Sequence, residues 1–142
     1  MSTSANPARH GSETALLVGL VALGGFVGAA ARFAVMEFVA ATALPFWLAT
    51  FGVNIAGCTV MGVLLARVSR LGRGSVQMQQ RWRAFLGFGI VGAFTTFSTV
   101  SADAIELALT SSVGAGLYLL GTTITCLAGV ILGERLARGR VA

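Results

Sequence analysis

The sequence predicts an all-α membrane protein with four transmembrane helices. Three observations lead to this prediction: four long uncharged stretches, a composition that is 56% hydrophobic and 11% charged, and arginines concentrated in alternate loops. Soluble domains usually contain about 45–50% apolar and about 25% charged residues, so this composition is outside their range. The chemistry of the protein is therefore expected within or across a bilayer.

The four uncharged stretches comprise residues 14–31, 38–66, 84–102 and 107–133. About 20 helical residues cross the hydrocarbon core of a bilayer. Every backbone N–H and C=O group there needs a partner inside the protein, which favours helices. We predict one transmembrane domain, 14–138, between a polar N-terminal tail, 1–13, and a C-terminal tail, 139–142. Its predicted helices are 14–40, 46–67, 81–109 and 114–138.

The distribution of arginine predicts the orientation. Nine of the ten basic residues precede the first helix, lie between the second and third, or follow the fourth: Arg9, Arg67, Arg70, Arg73, Arg81, Arg83, Arg135, Arg138 and Arg140. The other two loops are assigned only the acids Glu37, Asp103 and Glu106. The positive-inside rule then places both termini in the cytoplasm of a protein of the cell membrane. The net charge of +5 is explained by orientation, and no nucleic-acid partner is expected.

Two polar residues lie within predicted spans. Asn54 is about a third of the way into the second helix, where a buried amide needs hydrogen-bond partners or a polar path. An ordinary interhelical hydrogen bond would also explain it. Arg32 lies toward the end of the first helix and could extend its guanidinium to the interface.

A polar cluster interrupts the third span. Residues 92–99 read Gly-Ala-Phe-Thr-Thr-Phe-Ser-Thr, with four hydroxyl residues after a glycine. Such hydroxyls can bond backbone groups where a helix opens, so we predict a break in the third helix. Main-chain carbonyls exposed by that break could coordinate a hard cation. The alternative is an unbroken helix whose hydroxyls bond their own backbone.

The fourth helix carries Tyr118, Thr122 and Cys126 at intervals of four residues, which places them on one face. This row could pass an anion between polar groups, or it could join helices by hydrogen bonds. Cys58 and Cys126 are the two cysteines, and their spacing matches no metal motif.

These residues together resemble the small Fluc/CrcB fluoride-channel family. The matching segments are 25–32 in the first helix, Val53-Asn54 with Gly57 in the second, 92–99 in the third and the row from Tyr118 in the fourth. The resemblance implies a fluoride-specific ion channel for passive efflux from the cytoplasm. It also implies a dual-topology dimer of two antiparallel chains, with two anion pathways and a structural Na⁺ at its centre that is not transported.

The resemblance further assigns roles to individual residues. Main-chain carbonyls of Gly92 and Thr95 from each chain would hold the Na⁺. Arg32 would lie near a vestibule of the pathway. The residues expected along the fluoride pathway are Asn54, Phe97, Ser98, Thr99, Tyr118, Thr122 and Cys126.

One position departs from the family pattern. The motif usually carries a second phenylalanine three residues after the first, and here that position is Val100. An alkyl group lacks the electropositive ring edge that a phenylalanine offers to an anion. Because the arginines also favour one orientation, we expect an antiparallel, homologous partner rather than a second copy of this chain.

Two other functions are considered. A small four-helix multidrug or cation transporter would need a carboxylate in the middle of the membrane, and Glu13 and Glu37 lie at the ends of the first helix. A non-conducting assembly subunit remains compatible with Val100. Enzymatic activity is not expected, because the lone His10 is in the polar tail and no nucleophile and base are paired.

Overall fold

The computed structural model describes residues 7–71 and 75–139, and side chains within 11–68 and 75–139. Parts of the predicted tails, 1–6 and 140–142, and Arg73 in the basic loop lie outside the described residues. Every regular element described is a helix: α1 (Pro7–Ala40), α2 (Phe46–Leu71), α3 (Val76–Trp82), a π-helical segment (Arg83–Val91), α4 (Gly92–Phe94), α5 (Phe97–Thr110) and α6 (Ser112–Gly139).

Four helical stretches in the described part of the chain are long and apolar enough to cross a membrane: Gly11–Ala40, Phe46–Val68, Val76–Thr110 and Ser112–Gly139. The predicted all-α architecture with four spans is confirmed. Apolar side chains such as Phe26 and Leu109 are 75% and 84% exposed, as expected of surfaces that face lipid or another chain.

The helices are longer than the uncharged stretches. The first begins at Pro7 rather than residue 14, and the second continues to Leu71 rather than residue 67. Proline is well suited to the first turn of a helix, where its missing N–H breaks no bond. Polar residues can extend a helix beyond the hydrocarbon core, so the hydropathy pattern underestimates its length.

Glycines bring α1 against the first half of the third span. A Cβ atom added at Gly28 would collide with the carbonyl of Ile90, and one added at Gly24 would collide with that of Phe85. Gly89 lies at the same contact, because a Cβ there would be 2.8 Å from the Cα of Gly24. The two backbones therefore meet directly, as small residues permit in lipid.

A second glycine contact joins α2 and α6. A Cβ at Gly62 would collide with the carbonyl of Val130, and one at Gly133 would collide with that of Thr59. A Cβ at Gly129 would be 3.0 Å from the Thr59 hydroxyl oxygen. The glycine spacing in the fourth helix thus serves packing within one chain.

The third span is interrupted, as predicted. Its π-helical segment ends where the N–H of Gly92 bonds the carbonyl of Gly87, five residues earlier. Thr95 and Thr96 then adopt extended angles, with ψ of 153° and 124°. Gly92 keeps helical angles of φ −62° and ψ −37°, so the interruption follows the glycine by three residues. The position of the break is set by the two threonines.

Candidate functional site: a cavity beside the helix break

The side chain of Asn54 holds the interrupted backbone at two points. Its Oδ1 accepts the Thr96 N–H at 2.8 Å, and its Nδ2 donates to the Thr96 carbonyl at 3.1 Å. The second Nδ2 hydrogen is donated to the Thr50 carbonyl at 3.0 Å. Asn54 is only 5% exposed, and these bonds satisfy its amide inside the membrane. The amide replaces helix bonds that Thr96 cannot make.

The hydroxyl of Thr96 caps the helix that restarts after the break. Its Oγ1 accepts the N–H of Thr99 at 3.2 Å, as in an ordinary N-cap. The same oxygen lies 3.0 Å from the Thr99 hydroxyl and 3.1 Å from that of Ser98. Three hydroxyl groups of the predicted cluster thus surround the N-terminus of α5.

Several carbonyls at the end of α4 are left without main-chain partners. Within the described residues, no backbone N–H bonds the carbonyl oxygens of Gly92, Ala93, Phe94 or Thr95. The Thr95 hydroxyl makes a long 3.4 Å contact with the Gly92 oxygen, while Val91 accepts both the N–H and the hydroxyl of Thr95 at 3.0 Å. Hard oxygen ligands of this kind suit Na⁺, so the predicted donor set fits the ion chemically.

A cavity of about 350 Å³ lies beside the break. It is bounded by α2, the break, α5 and α6, and its lining includes Asn54, Thr96, Phe97, Val100, Thr122 and Cys126. The Phe97 ring is 77% exposed, whereas Val100 is 3% exposed and packs against Tyr118 and Ala104. The two positions of the predicted aromatic pair therefore differ in environment as well as in residue type.

The polar row on α6 divides between two environments. Thr122 and Cys126 line the cavity beside Phe97, and the Thr122 hydroxyl donates to the Tyr118 carbonyl at 2.7 Å. Tyr118 lies one turn earlier in the helix, where its ring meets that of Trp47 edge-on at 6.1 Å between centroids. Only part of the row faces the cavity.

Asp103 was missed as a candidate site residue, because it was considered, with Glu106, only as an acid that marks the outer end of the predicted third helix. The structure places it in α5, 8% exposed, where its Oδ2 accepts the Tyr118 hydroxyl at 3.2 Å. It also lines a cavity of about 450 Å³ with Trp47 and Pro45. A signal was present, since Asp103 follows Val100 by three residues, a spacing that places both side chains on the same side of a helix.

Arg32 lies beside the break in a separate cavity. It lines a smaller cavity of about 230 Å³ together with Thr50, Thr96 and Thr99. In the part of the chain that is described, the ion pair present joins Arg138 to Glu134 and does not involve Arg32. A positive charge thus lies beside the hydroxyl cluster.

Residues 19–134 match the family described as "CrcB-like protein, Camphor Resistance (CrcB)". The chain belongs to this family. It is 40% identical over 138 residues to "Fluoride-specific ion channel FluC 1" of Streptomyces coelicolor, covering 95% of this chain and 86% of that relative. It is 39% identical over 123 residues to "Fluoride-specific ion channel FluC" of Paracoccus denitrificans, covering 86% and 94%.

A third relative, from Novosphingobium aromaticivorans, carries the same fluoride-channel name and is 37% identical over 123 residues. The predicted resemblance to the Fluc/CrcB family is therefore confirmed. These names describe ion channels, which agrees with the expectation that this CrcB-like chain is not an enzyme. The four spans and the named relatives together indicate a multi-pass membrane protein.

Proposed function

We propose that this CrcB-like chain forms part of a fluoride-specific channel that lets fluoride leave the cytoplasm passively and so reduces its toxicity. The observation that supports this most directly is the cavity beside the helix break, where hydroxyls, first-turn N–H groups and an exposed phenylalanine ring come together. The names of the relatives support the same ion. The proposal is tested by measuring the rate of fluoride efflux from proteoliposomes that contain the chain.

The N-terminus of α5 supplies hydrogen-bond donors. In the described residues, the N–H groups of Phe97 and Ser98 have no internal acceptor, and the helix dipole makes this end electropositive. Fluoride is small and strongly hydrated, so its pathway must replace water with donors and ring edges. The exposed Phe97 ring has such an edge beside the first turn of α5.

Asn54 supports this pathway by holding the break. Both of its Nδ2 hydrogens are donated to carbonyls of the chain. Direct donation to fluoride would require an exchange with Thr50 or Thr96. The amide therefore acts on the ion chiefly through the position of Thr96 and of the hydroxyls that follow.

The carbonyls of Gly92 and Thr95 would hold a structural Na⁺, together with the same groups of a second chain. Hard oxygen donors without main-chain partners support this assignment. The ion would neutralise the partial negative charge at the end of α4 and supply no transported charge. Replacement of Na⁺ by N-methylglucamine on both faces should then abolish assembly or flux, and full activity without Na⁺ would refute this part of the proposal.

The second chain would be an antiparallel homologue, and this chain would keep both termini in the cytoplasm of the cell membrane. The nine biased arginines and the buried Val100 support pairing with a different sequence. The test is to reconstitute the chain alone and with a four-span homologue of opposite arginine bias. Robust fluoride efflux from the chain alone would contradict heterodimerisation.

A non-conducting assembly subunit is the second candidate, because Val100 lies inside the packed core instead of presenting a ring to an ion. The substitution Phe97→Val in this chain, tested in dimers with the homologous partner, distinguishes a conducting chain from a non-conducting subunit. Loss of fluoride efflux supports a conducting role, and an unchanged rate supports a purely structural one. The buried Asp103 carboxylate could serve a transporter, but it is already bonded to Tyr118, and the relatives are named as channels.

A further inference from the structure

The two cysteines of the chain meet across the contact between α2 and α6. Both are free thiols, and their side chains lie close enough to interact electrostatically. Gly129, one turn beyond Cys126, packs against Thr59, the neighbour of Cys58. The close approach of α2 and α6 at Gly129 therefore brings the two cysteines near each other.

Both cysteines also line the cavity beside Phe97. Each is partly exposed, so the sulfur pair can be reached from this space of about 350 Å³. Thr122 and Val130 lie along the same wall. A group bound between the sulfurs would occupy the wall of the proposed fluoride pathway.

We propose that Cys58 and Cys126 form a two-coordinate site for a thiophilic cation such as Hg²⁺, and that its occupation closes the pathway. Soft thiolate sulfur prefers soft metal ions. Two S–H bonds and two bonds from Hg²⁺ to its previous chloride or water ligands break, and two Hg–S bonds form. The two protons and the displaced ligands pass to water, and no electrons are transferred. Two thiolates cancel the charge of the dication, and a neutral complex avoids the cost of burying charge in an apolar interior.

A zinc ion would fit this site poorly. Zinc in proteins usually has four ligands, or three and a water. The described residues contain no group of three or more His, Cys, Asp or Glu side chains that could hold a metal. Two sulfurs alone satisfy a soft ion that accepts linear coordination. The number of ligands therefore selects the class of metal.

Binding is tested by titrating the purified chain in detergent with HgCl₂ and following the ultraviolet thiolate-to-mercury absorption and the protons released. We expect one Hg²⁺ per chain and two protons per Hg²⁺. Once one thiolate has bound the metal, the second binds it within the same chain at a high effective concentration. Removal of the metal from the unaltered chain should therefore need about 100-fold more 2-mercaptoethanol than removal from Cys58→Ser or Cys126→Ser. Met61→Leu, which removes a thioether from α2, is the matched control and should bind as the unaltered chain does.

Two Hg²⁺ per chain, or equal resistance to competitor in either single-cysteine variant, would overturn the site. These measurements require no ion flux, so they stay valid whether or not the chain conducts fluoride. They decide the site separately from the proposed function.

Closure rests on the proposed function and is tested by fluoride efflux from proteoliposomes, with each variant compared with its own metal-free rate. We expect HgCl₂ to slow fluoride efflux through the unaltered channel roughly tenfold or more and to slow efflux through Cys58→Ser far less. The reason is that a bound metal ion narrows a pathway whose walls directly contact the fluoride ion. An unchanged rate with metal bound would overturn closure. The absence of efflux before metal is added would overturn the proposed function instead.

Discussion

The side-chain amide of Asn54 pairs with the N–H and the carbonyl of the same residue, Thr96, at 2.8 and 3.1 Å. A side chain of the second span thus replaces two missing backbone bonds of the third. Buried polar groups that lose a partner cost about 1–3 kcal/mol each. The stability of the interruption therefore depends on one residue 42 positions earlier.

Asn54→Asp is predicted to destabilise the chain by at least about 1–3 kcal/mol and to reduce fluoride efflux. The carboxylate keeps an acceptor for the Thr96 N–H but loses both donors and places charge beside two carbonyls. Thermal unfolding in detergent measures the first effect. Thr123→Ala is the control, because its exposed hydroxyl bonds only its own helix, at Leu119. Equal melting temperatures for the two variants would contradict the role of Asn54.

Gly28→Ala is predicted to disrupt the packing of α1 on the third span. The added methyl group would collide with the carbonyl of Ile90, and overpacking of this kind costs about 1–3 kcal/mol. Gly25→Ala, three residues earlier, meets no atom within 4 Å and should be neutral or slightly stabilising. Unfolding of both variants in the same detergent provides the comparison. If Gly25→Ala were the more damaging change, the assigned contact would be wrong.

Val100→Phe should chiefly lower stability, whereas Phe97→Val should chiefly lower fluoride efflux. Val100 is 3% exposed and packed against Tyr118, so a larger ring there should cost about 1–3 kcal/mol of stability. Phe97 is 77% exposed, and its replacement should change stability by only about 0.5 kcal/mol while lowering fluoride efflux. Melting temperature and efflux are measured for both. A stable, more active Val100→Phe chain would show that the core accepts the ring.

Tyr118→Phe should destabilise the chain by about 1–3 kcal/mol, because the buried Asp103 carboxylate loses its hydrogen-bond donor. The ring contact with Trp47 remains in this variant. Asp103→Asn keeps an oxygen acceptor for the Tyr118 hydroxyl and removes the charge, so its loss should be smaller. Unfolding in detergent ranks the two variants, and a greater loss for Asp103→Asn would contradict this explanation.

Much of the fold could be predicted from the sequence because bilayer thickness and backbone hydrogen bonding leave few alternatives for apolar stretches of this length. The interruption of the third span was also predictable, since a glycine followed by a cluster of four hydroxyl residues can replace backbone bonds where a helix opens. Its position was not, because Gly92 tolerates helical angles and the partner that fixes Thr96 is distant in sequence.

The candidate site was predictable in residue type but less so in arrangement. Asn54, Phe97, Thr122 and Cys126 line one cavity, while Tyr118 points to a separate environment with Asp103. Asp103 was overlooked because charge patterns mark the ends of spans without showing which side chains turn inward. The roles of these residues toward fluoride and Na⁺ remain predictions for the experiments above.

The glycine contacts join the membrane spans into two closely packed pairs, here called couples. The first couple is α1 with the first half of the third span, and the second couple is α2 with α6. Backbones in direct contact cannot slide without a clash, so each couple must shift as one unit. We therefore expect any rearrangement that widens the proposed fluoride pathway to occur between the two couples. Asn54 of the second couple bonds Thr96 in the break that follows the first couple, so we expect its amide to limit how far the two couples can move apart.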